Sequence, residues 1–219
     1  MHRRSFYDYR YYYKRYLPHY QPEEAVLFVT YRIKQKIPQS VYDEMNQKRK
    51  AFEEKLINLP ESKRKQLSNA FNKKQFDYFD SILGNMGIEG SVLVKPEIAG
   101  IIKDSLHFNH GKQYSLLCYC IMPNHVHILI KPLIKDAQTP FSLTAIIKNH
   151  KSYTAKMANR ILNRKGQFWQ KGFYDHCIRD EREYRNVIRY ILNNPVKAGL
   201  VGYWEEWPHS WLNPDARES

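Results

Sequence analysis

The sequence predicts an α+β fold: an antiparallel sheet of about four to five strands with helices mainly on one face, plus a helical insertion. Three observations carry this expectation. Short runs rich in β-branched and aromatic residues alternate with long segments whose apolar residues recur at helical spacing. The runs Tyr114 to Ile121 and His125 to Lys131 are joined only by Met122-Pro123-Asn124, a turn too short for anything but antiparallel pairing. The stretch from about 39 to 95 reads as helical throughout, so it enlarges the domain without widening the sheet. A chain of 219 residues is long enough for one cored domain, or for one domain with a large insertion.

Taken in order, residues 1–20 form a basic, tyrosine-rich arm. They hold seven of the 17 tyrosines, interleaved with Arg3, Arg4, Arg10, Lys14 and Arg15. Aromatic faces mixed with cations suit single-stranded or looped nucleic acid. An arm packed along its own domain fits the same residues, and both readings stand. The domain is expected over 21–200, with 201–219 as a C-terminal tail. Ala25 to Ile33 is the first strand, largely apolar and rich in β-formers. Residues 40–58 and 61–84 are helices, with Phe52, Leu56 and Ile57 and then Leu67, Phe71, Phe76, Phe79 and Ile82 at helical spacing. Their many lysines and arginines read as solvated faces. Pro96 to Leu106 is a further helix and Leu143 to Leu162 a long one, with Ile146, Ile147, Met157 and Ile161 on its apolar side. Phe173 to Ile178 is a short strand. Asp180 caps the last helix, with Glu183 placed for a capping box. That helix runs to about Asn193, with Tyr184, Val187, Ile188, Ile191 and Leu192 as its core face. Pro195 ends it, leaving Asn194 at or just past the last turn.

The densest chemical signal is His125-Val126-His127. On a strand, side chains alternate with period two, so both imidazoles share one face while Val126, Ile128 and Ile130 face the core. Neighbouring imidazoles make a pair of metal ligands. Tyr190 lies about 120° from the centre of the last helix's core face, with Asn194 four residues on. By itself that is an ordinary half-exposed tyrosine. Tyr153 on the long helix is a rival nucleophile, but Met157 rather than a polar residue occupies its i+4 position. His150 and His176 read as structural or surface residues.

Composition narrows the partner. There are 35 Lys and Arg against 22 Asp and Glu, a formal charge of +13, which favours a polyanion such as nucleic acid. No apolar run is long enough to span a membrane, and the N-terminus lacks the apolar segment of a signal peptide. Cys118, Cys120 and Cys177 form neither a disulfide framework nor a zinc set and are expected reduced, in a cytoplasmic protein.

Three segments occur in order: Tyr-Cys-Ile-Met-Pro-Asn-His-Val-His-Ile-Leu-Ile (119–130), Phe-Trp-Gln-Lys-Gly-Phe-Tyr-Asp-His-Cys-Ile-Arg (168–179) and Tyr-Ile-Leu-Asn-Asn-Pro-Val-Lys-Ala-Gly-Leu-Val (190–201). Together they resemble the single-tyrosine transposases of the HUH nuclease superfamily, and most closely the REP-associated tyrosine transposase branch. Glu206-Trp207-Pro208 is similar to that branch's C-terminal region. The resemblance implies the HUH nuclease fold, a metal on His125 and His127, a nucleophilic Tyr190, and Asn194 completing the metal site. It implies Mg²⁺ or Mn²⁺ as cofactor and single-stranded or hairpin DNA as partner. Lys148, Lys151 and Arg189 are candidate phosphate contacts, each also readable as a plain surface cation. Monomer and homodimer both remain open. The expected activity is a transposase-like strand transfer through a 5′-phosphotyrosine. Two alternatives stay beside it: a hairpin-binding module of the same fold, and a metal-dependent nuclease that uses water.

Overall fold

A computed structural model of the chain describes residues 24–86, 91–136 and 139–216. The basic arm, and with it Arg3, Arg4, Arg10, Lys14 and Arg15, lies outside the described residues. The chain divides into two compact units.

The first unit comprises the described residues up to 34 and from 91 onward. It is built on five strands: β1 (Leu27–Arg32), β2 (Tyr114–Ile121), β3 (His125–Pro132), β6 (Tyr174–Cys177) and β7 (Ser210–Leu212). They lie in the order β6-β1-β3-β2-β7, all antiparallel. The strand bearing the two histidines is therefore central. The segment expected as a C-terminal tail supplies β7, the edge strand beside β2. A short separate hairpin, β4 (Ile134–Asp136) and β5 (Thr139–Pro140), was not evident in the sequence.

Leu27, Val29 and Tyr31 of β1 and Val126, Ile128 and Ile130 of β3 lie on one face. With Leu116, Tyr119 and Ile121 they form the core against α3 (Pro96–Asn109) and α4 (Leu143–Ile161). A register shift between Leu116 and Cys118 keeps β2 in phase: Leu116 and Tyr119 stay on the core face, while Cys118 pairs with Leu129 and Cys120 with His127 on the other. α5 (Glu181–Leu192) packs across that second face, on β2 and β3. β1 is consequently buried on both sides, which is why it reads as a nearly unbroken apolar run rather than an alternating one.

Beneath α3 and α4 the core holds a satisfied polar chain. The Tyr31 hydroxyl shares a hydrogen bond with His150 Nε2 at 2.6 Å, and His150 Nδ1 shares one with Ser105 Oγ at 2.9 Å. Thr154 Oγ1 donates to the His150 carbonyl at 2.8 Å and accepts from Trp169 Nε1 at 2.9 Å. Trp169 belongs to the Gly-aromatic loop, which is laced to the end of β1 by Lys34 N to Phe168 O (2.7 Å) and Gln170 N to Arg32 O (2.8 Å). His150 is thus structural, as expected. Burial, helped by the Lys151 charge, pulls its value down to about 3 and keeps it neutral. Because the unfolded chain would protonate it near pH 6.5, its contribution to stability is complete above that pH. It drains away as pH falls toward about 3. Tyr31→Phe removes the hydrogen-bond partner of a buried nitrogen and is expected to cost about 1–3 kcal/mol in urea unfolding.

The second unit, Gln35–Met86, holds α1 (Gln39–Leu56) and α2 (Glu61–Asn85). Pro38 and Pro60 precede the two helices, whose first turns have no use for the N–H a proline lacks at that boundary. Phe52 stacks on Phe71 with centroids 4.1 Å apart, and Glu44 accepts from Lys48 (2.6 Å) and from the Tyr78 hydroxyl. Lys48, Lys50, Lys55, Lys63, Arg64, Lys73 and Lys74 are exposed, as solvated faces should be, but Arg49 departs from that expectation and is buried on α1. No helix among the described residues is long and apolar enough to cross a membrane.

Candidate metal and tyrosine site

Strand register alone brings the first three groups together. His127 pairs across the ladder with Thr30, and His125 with Arg32. Both imidazoles lie fully buried on the α5 face of the sheet. Their Nε2 atoms face each other 3.0 Å apart. Each Nδ1 is held by an oxygen: His125 by Asn124 Oδ1 at 2.6 Å, His127 by Thr30 Oγ1 at 2.7 Å. An amide oxygen only accepts, so His125 carries its proton on Nδ1 and its lone pair on Nε2. The Thr30 hydroxyl both donates and accepts, so His127 can adopt the same tautomer without moving. Oxygen partners on the far nitrogen are the usual outer support of a metal-binding histidine. Were the pair to hold a metal, Thr30→Val would weaken that binding by roughly tenfold to a hundredfold, as measured by calorimetric titration with Mn²⁺.

Tyr190 comes to the same place on α5. The Asp180 side chain accepts from Glu183 N at 2.8 Å, so the expected N-cap is present. The reciprocal half of the capping box is displaced by one residue: Glu183 Oε2 accepts from the Arg179 amide at 2.9 Å instead of from Asp180. Its Oε1 meets His176 Nε2 at 2.9 Å, tying the first turn of α5 to β6. Burial opposes ionisation of Glu183, but the His176 and Arg179 hydrogen bonds and their charges outweigh it and hold the carboxyl below its ordinary value. This tie is complete above the ordinary carboxylate range and is lost only as pH falls through that lowered value.

Ile191 and Leu192 are buried and Tyr184, Val187 and Ile188 half-buried, which leaves Tyr190 on the flank of the helix. On that flank its ring lies edge-on to His127 (5.7 Å between centroids) and to Phe28 (5.9 Å). Phe28 in turn stacks on His127 at 5.7 Å and meets Tyr174 at 6.0 Å. The phenol and the imidazole pair, 63 residues apart between His127 and Tyr190, are thus neighbours within one chain.

Asn194 is buried one turn later, its Nδ2 donating to the Tyr190 carbonyl at 3.4 Å. Pro195 does not end the helical path as expected. After Asn193 the chain turns into a short helix, α6 (Asn194–Lys197), with the proline in its first turn, where a missing N–H costs nothing. That turn brings Lys197 back over the Tyr190 ring, Nζ 4.8 Å from the centroid.

The other candidate cations divide. Arg189 is exposed beside Tyr190 on α5. Lys148 is exposed on α4, which packs on the sheet face opposite the histidines. Lys151, also on α4, is spent on the loop: its Nζ donates to Gln170 O at 2.8 Å and Gly172 O at 2.5 Å. Burial, with the Arg32 charge, lowers it to about 8. Tyr153, the rival nucleophile, is exposed on that same helix.

Sequence reasoning missed Thr30, Asn124, Phe28 and Lys197. Thr30 and Phe28 could have been found by extending period-two alternation from β3 to its neighbour. Asn124 was read only as a turn former.

Comparison with known proteins finds similarity to transposases. The family model of IS200-like transposases matches residues 91–194. A Haemophilus influenzae protein that carries the provisional name of a REP-associated tyrosine transposase is 28% identical over 109 residues, covering 48% of this chain and 62% of that one. The Escherichia coli K12 REP-associated tyrosine transposase is 27% identical over 105 residues, covering 48% of this chain and 58% of its own. The chain thus spans about three-fifths of the length of these curated relatives. A solved structure of a REP-associated tyrosine transposase bound to a REP hairpin aligns with a TM-score of 0.49 and 15% identity, over 90% of this chain and 82% of that one. The matched segment contains the histidine pair, the tyrosine helix and Asn194.

Proposed function

We propose that this protein is a strand transferase that cleaves and rejoins single-stranded DNA near hairpins, using Tyr190 as nucleophile and a divalent cation on His125 and His127. The carrying observation is the 5.7 Å approach of the Tyr190 ring to His127, whose Nε2 stands 3.0 Å from that of His125.

The residues fit a cation. With their Nε2 atoms 3.0 Å apart, both rings can donate to one ion. Two imidazoles alone suit zinc; oxygen donors from Asn194 and the phosphate, and the family resemblance, point to Mg²⁺ or Mn²⁺. Asn194 is the candidate third donor. A cation held there supplies positive charge to the scissile phosphate and to the leaving oxygen.

The protein's own groups do the rest. The Tyr190 oxygen attacks phosphorus, forming a phosphotyrosine on the 5′ side while the bond to the 3′-oxygen breaks. The phenolic proton passes to solvent, and the departing oxygen takes one up as a 3′-hydroxyl. One phosphate ester replaces another, so a second 3′-hydroxyl can reverse the step without ATP. Buried Phe28 packs against the Tyr190 ring and limits access of water on that side, which favours transfer over hydrolysis. Exposed Arg189, together with the basic arm, is placed in this reading on the DNA backbone.

The test mixes the full chain with an end-labelled hairpin oligonucleotide and Mn²⁺, then denatures it. Label migrating with the protein is expected. Cleaved DNA that carries no protein would favour the water-using nuclease, and binding without cleavage under any metal the hairpin-binding module.

A further inference from the structure

The Tyr190 ring is touched on two edges by Phe28 and His127, yet a nucleophile also needs its ring plane fixed. The Lys197 ammonium lies over that ring, its Nζ 4.8 Å from the centroid. That is well inside the range in which a cation is drawn to an aromatic face. Lys197 is held there by backbone geometry rather than by chance. Lys197 N donates to Asn193 O at 2.9 Å and Ala198 N to Asn194 O at 3.0 Å, which closes α6 immediately beyond α5. Leu200 N to Pro195 O at 2.9 Å locks the exit of the turn, where Gly199 adopts a φ of 67°. The proline that looks like a helix stop is what brings the lysine back over the tyrosine.

We propose that Lys197 is a positioning residue for the Tyr190 reaction, holding the phenol ring in its attacking orientation through a cation–π contact. This rests on the strand-transfer reading above. The turn from Asn193 to Gly199 acts as a clamp on the nucleophile, separate from the groups that hold the cation. The contact needs a positive charge on a long stem and no particular head group, so arginine can replace lysine and methionine cannot.

Two measurements on the full chain test it: single-turnover adduct formation on a hairpin oligonucleotide with Mn²⁺, and the NMR signal of the Tyr190 ring in tyrosine-labelled protein, identified by its disappearance in Tyr190→Phe. Lys197→Met is expected to slow adduct formation roughly tenfold at saturating DNA, to leave hairpin affinity within about twofold, and to move the Tyr190 ring signal. Lys197→Arg is expected to restore both rate and signal. A Lys197→Met protein with unchanged rate and unchanged ring signal overturns the proposal. So does one whose loss lies wholly in DNA affinity, which would make Lys197 a plain phosphate contact. A ring signal that moves as expected while no protein, wild type included, forms an adduct supports the clamp and rejects the strand-transfer reading instead.

Discussion

Replacing Tyr190 by phenylalanine is expected to abolish the protein–DNA adduct and all strand cleavage while hairpin affinity stays within about twofold. The effect is large because the substitution removes the attacking atom itself and nothing else. The ring and its contacts with His127 and Phe28 are preserved in phenylalanine. Single-turnover kinetics on a denaturing gel check this, with circular dichroism to show that the fold is intact. Residual cleavage in Tyr190→Phe at the wild-type rate would transfer the chemistry to metal-bound water and leave Tyr190 a bystander.

His125→Ala and His127→Ala are each expected to lower cleavage by roughly a hundredfold or more, the scale on which a single stabilising contact to developing charge is felt. The double substitution should cost little beyond either single one, since the pair works as a unit. Metal addition should separate this from mere instability: raising Mn²⁺ should partly rescue each single variant and leave the double variant inert. Both rings are fully buried in the sheet, so a small loss of fold stability accompanies either change. Equal Mn²⁺ binding by wild type and double variant would remove the metal from the site.

The sheet was legible because its signals are local. Period two in His125 to Ile130, apolar density in β1, and the Met122-Pro123-Asn124 turn each fix one strand, and pairing then follows. The histidine pair was legible for the same reason. Tyr190 was legible only through its segment's resemblance to a known family, since helical periodicity places it off the core face and says nothing about what it meets there. Strand β7 escaped notice because Ser210-Trp211-Leu212 is too short to carry a pattern, and it is recruited by Tyr119 and Trp211 stacking at 5.8 Å across the edge of β2. α6 was missed because Pro195 was read by its effect on the residue before it rather than by its fitness for a first helical turn. Lys151 looked like a phosphate contact because composition shows charge and not what already binds it. Two loop carbonyls do so here.

Peptide mapping of the covalent product bears most directly on the meeting of phenol and imidazole pair. The full chain is trapped on a hairpin oligonucleotide with Mn²⁺, digested with nuclease and protease, and sequenced by mass spectrometry. The expected result is a 5′-linked nucleotide on the peptide that contains Tyr190, and on no other tyrosine. A nucleotide found on Tyr153 or on the basic arm, with the Tyr190 peptide unmodified, would contradict the account.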